Sequence, residues 1–244
     1  MLKKTIEEGV YFAFRRAQAE ALNQDRSHEL HVTDTVSPCL RKTIYGKINP
    51  ISIDTESMSH LYMGQAVHGL SQLSPDLHEV PLAYDWVEDK PVDLNKLDLK
   101  LDDPKWWDII IGAVDDVIKI DDEYIICDKK TTNMQKYKPK TPNEAHQKQI
   151  NIYRLLLNKC KGIDSKHGCI LYLDVTDKIQ KPLPLSFGLN PIEETLETLK
   201  KDATIIKNAM VNGVLPERTQ CYLCDGYCSY SMTCFTDNRT HWRE

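Results

Sequence analysis

The sequence predicts an α/β domain with a mixed central sheet flanked by helices and a cysteine-rich C-terminal tail. Three observations predict it. Helical and strand patterns follow one another as helix, strand hairpin, helix, strand, helix. Residues 108–130 hold two β-rich apolar runs, DIIIGAVDDVIKI and EYIICDKK, separated only by Asp121 and Asp122. Four of the eight cysteines, Cys221, Cys224, Cys228 and Cys234, crowd together near the end of the chain.

Composition excludes several classes. Of 244 residues, 41% are hydrophobic and 27% charged, the proportions of a globular chain rather than a disordered one. No stretch approaches the ~20 consecutive apolar residues that span a bilayer, so a membrane protein is not expected. Glu7, Glu8, Arg15 and Arg16 interrupt the apolar N-terminal stretch. It therefore does not read as a secretory leader, and a cytoplasmic protein is expected. A formal net charge of −5 argues against a protein that coats nucleic acid by charge alone.

The elements follow in order. Residues 2–24 read as an amphipathic helix with Ile6, Val10, Phe14, Ala17 and Ala21 along one stripe. Ser37, Pro38 and Cys39 open a short helix, with serine as N-cap and proline in the first turn. Residues 57–73 read as a further helix. In the polar stretch 75–105, alternation at Leu97, Leu99 and Leu101 suggests a strand or a sheet edge. The two runs of 108–130 pair as a hairpin. Thr141-Pro142-Asn143-Glu144 is a capping box that leads a helix to about Lys161, stopped by Gly162. HGCILYLDVT reads as a buried strand. Asn190-Pro191-Ile192-Glu193 opens a last helix with Ile192, Leu196, Leu199, Ala203, Ile206 and Met210 on one stripe, ended by Gly213.

The cysteines divide into two groups. Cys127, Cys160 and Cys169 sit in or beside apolar runs and read as small core residues. In a cytoplasmic chain the C-terminal group is better explained by a soft metal or an iron–sulfur cluster than by disulfides. Two arrangements compete: four C-terminal thiolates around a local zinc, or Cys39 joining three of them around a [4Fe–4S] cluster. Cys39 at a helix N-terminus favours the second, because that position lowers a thiol's pKa.

The hairpin carries the chemistry. Asp128 and Lys130 are two apart on a strand and share a face, and Asp115 can reach them from the partner strand. Converging carboxylates call for a cation, and oxygen ligands suit Mg²⁺ or Mn²⁺. Beside such an ion on a phosphodiester, the Lys130 ammonium can orient the attacking water and offset charge in the transition state. His68 in GQAVH, with Gly64 one turn earlier, can add an imidazole ligand. Gln149 and Tyr153 are i and i+4 on the following helix and suit DNA contacts. Lys129, Lys130, Lys136, Lys138, Lys140 and Lys148, against the one acid Glu144 in the same stretch, form a local phosphate footprint. The plainer readings are a solvated hairpin edge, a core histidine, a half-buried tyrosine and an exposed lysine-rich loop.

In combination these residues resemble the PD-(D/E)xK nuclease superfamily, in particular its RecB-like branch with an iron–sulfur cluster. The ordered set is His68 in GQAVH, Asp115 in GAVD, Asp128 and Lys130 in DKK, and Gln149 and Tyr153 in QINIY. It is similar to the CRISPR-associated exonucleases of the fourth Cas family, and the resemblance spans residues 39–234. It implies a restriction-endonuclease-like core and metal-dependent DNA cleavage. By that likeness His68, Asp115, Asp128 and the Lys129 carbonyl hold Mg²⁺ or Mn²⁺, Lys130 is the catalytic lysine, and Gln149 and Tyr153 contact DNA. Cys228-Ser-Tyr-Ser-Met-Thr-Cys234 matches the family's C-x-Y-x-x-x-C ending, and Cys39 matches its first cluster ligand. The family's C-x-x-C is missing: Cys224 precedes Cys228 by four and Cys221 by seven. Cys224 is the favoured remaining ligand because it needs the smaller insertion, with Cys221 as alternative.

The expected organisation is one nuclease domain over 1–244. It comprises a helical segment over residues 1–75, a core over residues 76–190, and a C-terminal segment over residues 191–244 that closes the cluster site with Cys39. The function expected is a DNA exonuclease preferring single strands, with endonuclease activity also in scope, in CRISPR spacer acquisition or DNA repair. Its partners would be DNA with free ends and CRISPR integrase proteins or a helicase, since no Walker A motif supplies a motor. Two alternatives stand beside it: a non-catalytic DNA- or partner-binding subunit, and a zinc-tail protein whose hairpin acids are merely solvated.

Overall fold

The structure is a computed structural model that describes residues 9–11, 13, 26–51, 55–70, 73–74, 77–176 and 180–242. The helix expected over 2–24 lies outside the described residues but for 9–11 and 13. In chain order the elements are β1 (Leu30–His31), α1 (Val32–Thr35), α2 (Leu40–Ile48), α3 (Thr55–Leu70), β2 (His78–Asp85), β3 (Lys90–Pro91), β4 (Ile109–Ile120), β5 (Glu123–Thr132), α4 (Glu144–Lys161), β6 (His167–Asp174), β7 (Leu183–Gly188), α5 (Ile192–Asn212) and α6 (Ser231–Thr236). No helix among the described residues is long and apolar enough to cross a membrane.

The hairpin is the centre of the sheet. Ile120 pairs with Glu123 across Asp121-Asp122, and Asp121 adopts the left-handed φ of 52° that a two-residue hairpin turn favours. Among the described residues seven strands form one mixed sheet in the order β3-β2-β4-β5-β6-β7, with β1 also on β4. The β1–β4 and β5–β6 pairs are parallel and the others antiparallel. The parallel β5–β6 pair needs a crossover, which α4 supplies.

Helix α4 is the main packing element. Ile150, Ile152, Leu155, Leu156 and Leu157 are fully buried, each stabilising the fold by roughly 1.5–3 kcal/mol. The helix lies so close to β6 that a Cβ at Gly168 would stand 2.7 Å from the Ile150 methyl. Leu199, Ala203 and Ile206 of α5 continue the same core. Helix α3 lies against the other side of β5, where Gly64 approaches the Thr131 hydroxyl. A second, smaller core of Ile44, Tyr45, Ala209, Leu215 and Tyr230 joins α2 to the tail. The buried Arg41 guanidinium reinforces it, donating to the carbonyls of Pro216, Asp237 and Arg239.

Four sequence expectations shift. No strand forms over 97–101, which runs irregularly between two 3₁₀ turns with Leu101 exposed; alternation by itself does not make a strand. The strands of that stretch are β2 and the two-residue β3, both before Leu97. Helix α4 is capped by Asn143, whose Oδ1 accepts from the Ala145 amide at 2.8 Å, two residues later than Thr141. Helix α2 begins at Leu40 with Cys39 in the N-cap position, because Ser37 Oγ accepts from the Cys39 amide itself. Strand β6 is buried on one face only. β7 carries Pro184 with its side chain exposed, a residue that weakens any strand pattern read locally.

Candidate active site

The site is a fork in the sheet. β4 and β5 pair from the turn only as far as Asp116–Cys127. Beyond that point β5 continues on β6, and β4 takes β1 beside Ile110 and Ile111. In the gap, the Lys129 amide donates to the Asp115 carboxylate at 2.8 Å rather than to a neighbouring strand. His68 of α3 places Nδ1 3.1 Å from the same Asp115 oxygen.

A third ligand joins them from β2. Glu79 falls opposite Asp115, between the His78–Asp116 and Val80–Val114 pairs. Its φ of 46° lies in the left-handed region, which costs a non-glycine residue roughly 1–2 kcal/mol. One ligand atom from each of His68, Glu79 and Asp115 lies within 4.8 Å of the others. The sequence reading missed Glu79; the available signal was a carboxylate beside the apolar run from Val80 to Tyr84.

Asp128 stands beside this triplet with its own partner. It is almost fully buried, and Lys130 Nζ lies 2.8 Å and 3.1 Å from its two oxygens. The nearer contact lacks hydrogen-bond geometry, so Oδ2 is a buried oxygen without a hydrogen bond. Burial pushes the Asp128 carboxyl up to about 6, aided by the Asp115 charge and opposed by Lys130. Burial also acts to raise Asp115, but the His68 ring, the Lys129 amide and Lys130 outweigh it and hold that carboxyl below its ordinary value. The hydrogen bond to Asp115 in turn raises His68. The His68 nitrogen with the Glu79 and Asp115 carboxylates, gathered within 4.8 Å, fits a divalent cation, and Asp128 with its unbonded buried oxygen stands outside that group.

The adjacent lysines separate. Strand alternation sends Lys129 away from Lys130, into an ion pair with Asp116 at 2.9 Å in which both side chains are buried. Lys129 Nζ also donates to the His68 carbonyl, and Asp116 accepts from the amides of Leu73 and Ser74. This pair ties the end of α3, and therefore His68, to the hairpin. Lys148 is likewise engaged, by Asp202 and the Thr35 carbonyl. Of the six lysines read as a phosphate footprint, Lys136, Lys138 and Lys140 are exposed.

Gln149 and Tyr153 do share one face of α4, and they bond one another at 3.0 Å. Tyr153 lines the cleft of about 670 Å³ that also contains His68, Glu79 and Asp115. Its ring fits against Gly112, where a Cβ would stand 3.0 Å from it and 2.8 Å from a Val32 methyl. On the other side of Lys130, Tyr172 is its register partner on β6. The Tyr172 hydroxyl accepts from the Asn143 amide and contacts His146 Nδ1 at 3.1 Å. Burial and the Lys130 charge lower His146 to about 4, so it is neutral at physiological pH.

The tail brings cysteines to Cys39. A cavity of about 220 Å³ is lined by Cys39, Cys224, Cys228 and Cys234 together with Lys42 and Arg218. Burial pushes the Cys39 thiol up, with the Lys42 amide acting the other way and Cys221, Cys234 and Cys228 adding to the rise. The pKa lowering expected from a helix N-terminus is thus outweighed by burial. Four cysteines share one cavity with two cations at its edge, but among the described residues no three of their sulfurs meet within the 4.8 Å that groups the donors of a single ion, so a larger thiolate-bound cluster suits the cavity better than one metal.

Comparison with known proteins supplies two findings. The family model described as the PD-(D/E)XK nuclease superfamily matches residues 51–235. The crystal structure of SSO0001 superimposes with a TM-score of 0.55 at 18% identity, covering 96% of this chain and 98% of that one. At that identity it shows the fold alone. A search of curated proteins finds no match.

Proposed function

From the premise that the chain belongs to the PD-(D/E)XK nuclease superfamily, we propose that it is a metal-dependent deoxyribonuclease. The carrying observation is the fork that gathers His68, Glu79 and Asp115 within 4.8 Å while Asp128 and Lys130 stand paired beside them. His68, Asp115, Asp128 and the Lys129 carbonyl would hold Mg²⁺ or Mn²⁺, with Glu79 as an added carboxylate. The ion supplies Lewis-acid activation of the phosphodiester and of water. Lys130 orients the water and offsets charge on the phosphorus oxygens, and Gln149 and Tyr153 position the strand from α4.

Within this reading the enzyme is an exonuclease that prefers single strands. The cleft wall of Val32, Leu61, Ile111 and Tyr153 supports that preference, because such a surface suits unpaired bases better than a duplex backbone. A role in CRISPR spacer acquisition or repair, with integrase proteins or a helicase as partners, follows from the sequence likeness. Degradation of end-labelled single-stranded DNA with Mn²⁺ tests the activity, and label position reports polarity. No products from any end would favour the non-catalytic DNA-binding reading.

Metal binding is expected to depend on pH through Asp128. A ligand must be deprotonated, so binding competes with the proton. With the carboxyl at about 6 and the His68 imidazole raised above its ordinary value, Mn²⁺ affinity is expected to fall as pH drops through the His68 titration, more steeply once Asp128 also protonates. Titration calorimetry in buffers of different ionisation enthalpy would show proton release growing as the pH is lowered. In the metal-free protein the sign is that of a raised carboxyl: its stability contribution is present below ~3.9 and lost as pH rises through about 6.

The cysteine cavity is assigned a [4Fe–4S] cluster held by Cys39, Cys224, Cys228 and Cys234. Cys224, rather than Cys221, lines the cavity, whereas Cys221, rather than Cys224, acts on the Cys39 thiol; the cavity lining is the reason for preferring Cys224. Protein purified without oxygen is expected to be brown and to lose iron in Cys39→Ala and Cys224→Ala but not in Cys221→Ala. Loss in Cys221→Ala instead would exchange the ligand, and a colourless protein with one zinc per chain would establish the zinc alternative.

A further inference from the structure

The loop between β5 and α4 begins two residues beyond Lys130, after Thr132, and it is anchored rather than loose. Asn133 accepts from the amides of Gln135, Lys136 and Tyr137 through its side chain and carbonyl. The Met134 side chain is buried and its amide donates to Asp174. Gln135 bonds Thr176 on the neighbouring segment. From this anchored turn Tyr137 projects with 62% of its surface exposed, between the exposed Lys136 and Lys138, with Lys140 beyond. No acid occurs from Thr131 through Asn143. No ion pair joins these three lysines to an acid among the described residues.

The placement matters as much as the composition. Tyr172, the register partner of Lys130, holds the far end of the loop through the Asn143 amide. The Tyr137 phenol is near enough to Tyr172 to act on its titration. An exposed aromatic ring on a rigid support costs little entropy to order, and a ring flanked by cations is the surface on which unpaired bases stack while their phosphates are neutralised. An exposed tyrosine with no such purpose would gain nothing from three uncompensated like charges around it.

We propose that Tyr137, with Lys136, Lys138 and Lys140, forms a stacking platform for an unpaired nucleotide of the strand that enters the Lys130 site. This rests on the nuclease reading for its location, but not for its measurement. Tyr137 touches none of the metal-site residues, so it is a binding residue and lies outside the reacting centre. The surface selects single strands because base faces are available there and are hidden in a duplex.

The test is binding of fluorescent oligothymidylate and of a duplex of equal length, without divalent metal. Tyr137→Ala is expected to lose roughly 5- to 100-fold in affinity for the single strand, to leave duplex affinity unchanged, and to be rescued by Tyr137→Phe. An oligonucleotide with abasic sites should bind wild type and Tyr137→Ala alike. The triple change Lys136→Gln, Lys138→Gln and Lys140→Gln should lower the slope of log affinity against log salt by about 0.7 per lysine. Unchanged single-strand affinity in Tyr137→Ala, or an equal loss on the abasic strand, overturns the platform. Cleavage by wild type with Mn²⁺ is scored separately. A protein that binds in this manner without cutting overturns the nuclease reading and leaves the platform standing.

Discussion

Lys130→Ala is expected to lower DNA cleavage by about 10²–10³-fold while Mn²⁺ still binds. The Lys130 side chain is partly exposed and reaches only across its own strand face, to Asp128. Removing it takes away the cation aimed at the phosphorus oxygens but leaves His68, Glu79 and Asp115 in place. Because ammonium and metal share the Asp128 carboxylate, Mn²⁺ affinity should be equal or higher above the Asp128 titration. Single-turnover cleavage of end-labelled single-stranded DNA, with parallel Mn²⁺ titration, separates the two effects. A variant that cuts at the wild-type rate would remove Lys130 from the chemistry, and a variant that loses metal would recast it as a ligand-positioning group.

Lys129→Ala, one residue away, should act on folding instead. Both partners of the Lys129–Asp116 pair are buried, and leaving one buried charge alone costs about 3–5 kcal/mol. Against a typical total of about 5–15 kcal/mol, that is enough to lower the denaturation midpoint sharply or to prevent accumulation of folded protein. Cleavage then disappears with the fold. The double change Lys129→Met with Asp116→Asn removes both charges and keeps an oxygen for the Leu73 and Ser74 amides. It is expected to recover most of the stability and, since Lys130 is intact, the cleavage as well. Chemical denaturation of the single and double variants checks this. A Lys129→Ala protein as stable as wild type would contradict the buried pair.

The two lysines show how far local pattern reaches. The period of two along β5 assigns Asp128 and Lys130 to one side and Lys129 to the other. Only the fold shows that the other side holds Asp116 rather than solvent. The Asp121-Asp122 turn, the stop at Gly162 and the stripe from Ile192 to Met210 are short-range matters of backbone conformation and helical spacing, and all three were legible. The starts of α2 and α4 slipped by a residue or two because Ser37, Thr141 and Asn143 are all competent caps, and packing chooses among them. Leu97, Leu99 and Leu101 alternate like a strand, yet they join no sheet.

The candidate site divides in the same way. Asp115, Asp128, Lys130, His68 and Glu79 come from three strands and one helix. The first four stood out because charge in an apolar run, or a histidine beside a small residue, is visible in the sequence itself. Glu79 did not, because its role depends on facing Asp115 across β2 and β4 with a left-handed backbone. By itself the sequence determined the hairpin, the helices on either side of it and the charged residues they carry, since those follow from interactions within a few residues; it did not determine the strand that brings Glu79. The tertiary structure alone decided the fork between β4 and β5, the burial that raises Asp128 and the pairing of Lys129. Each of these depends on contacts between residues far apart in the chain, and on desolvation that no local pattern encodes.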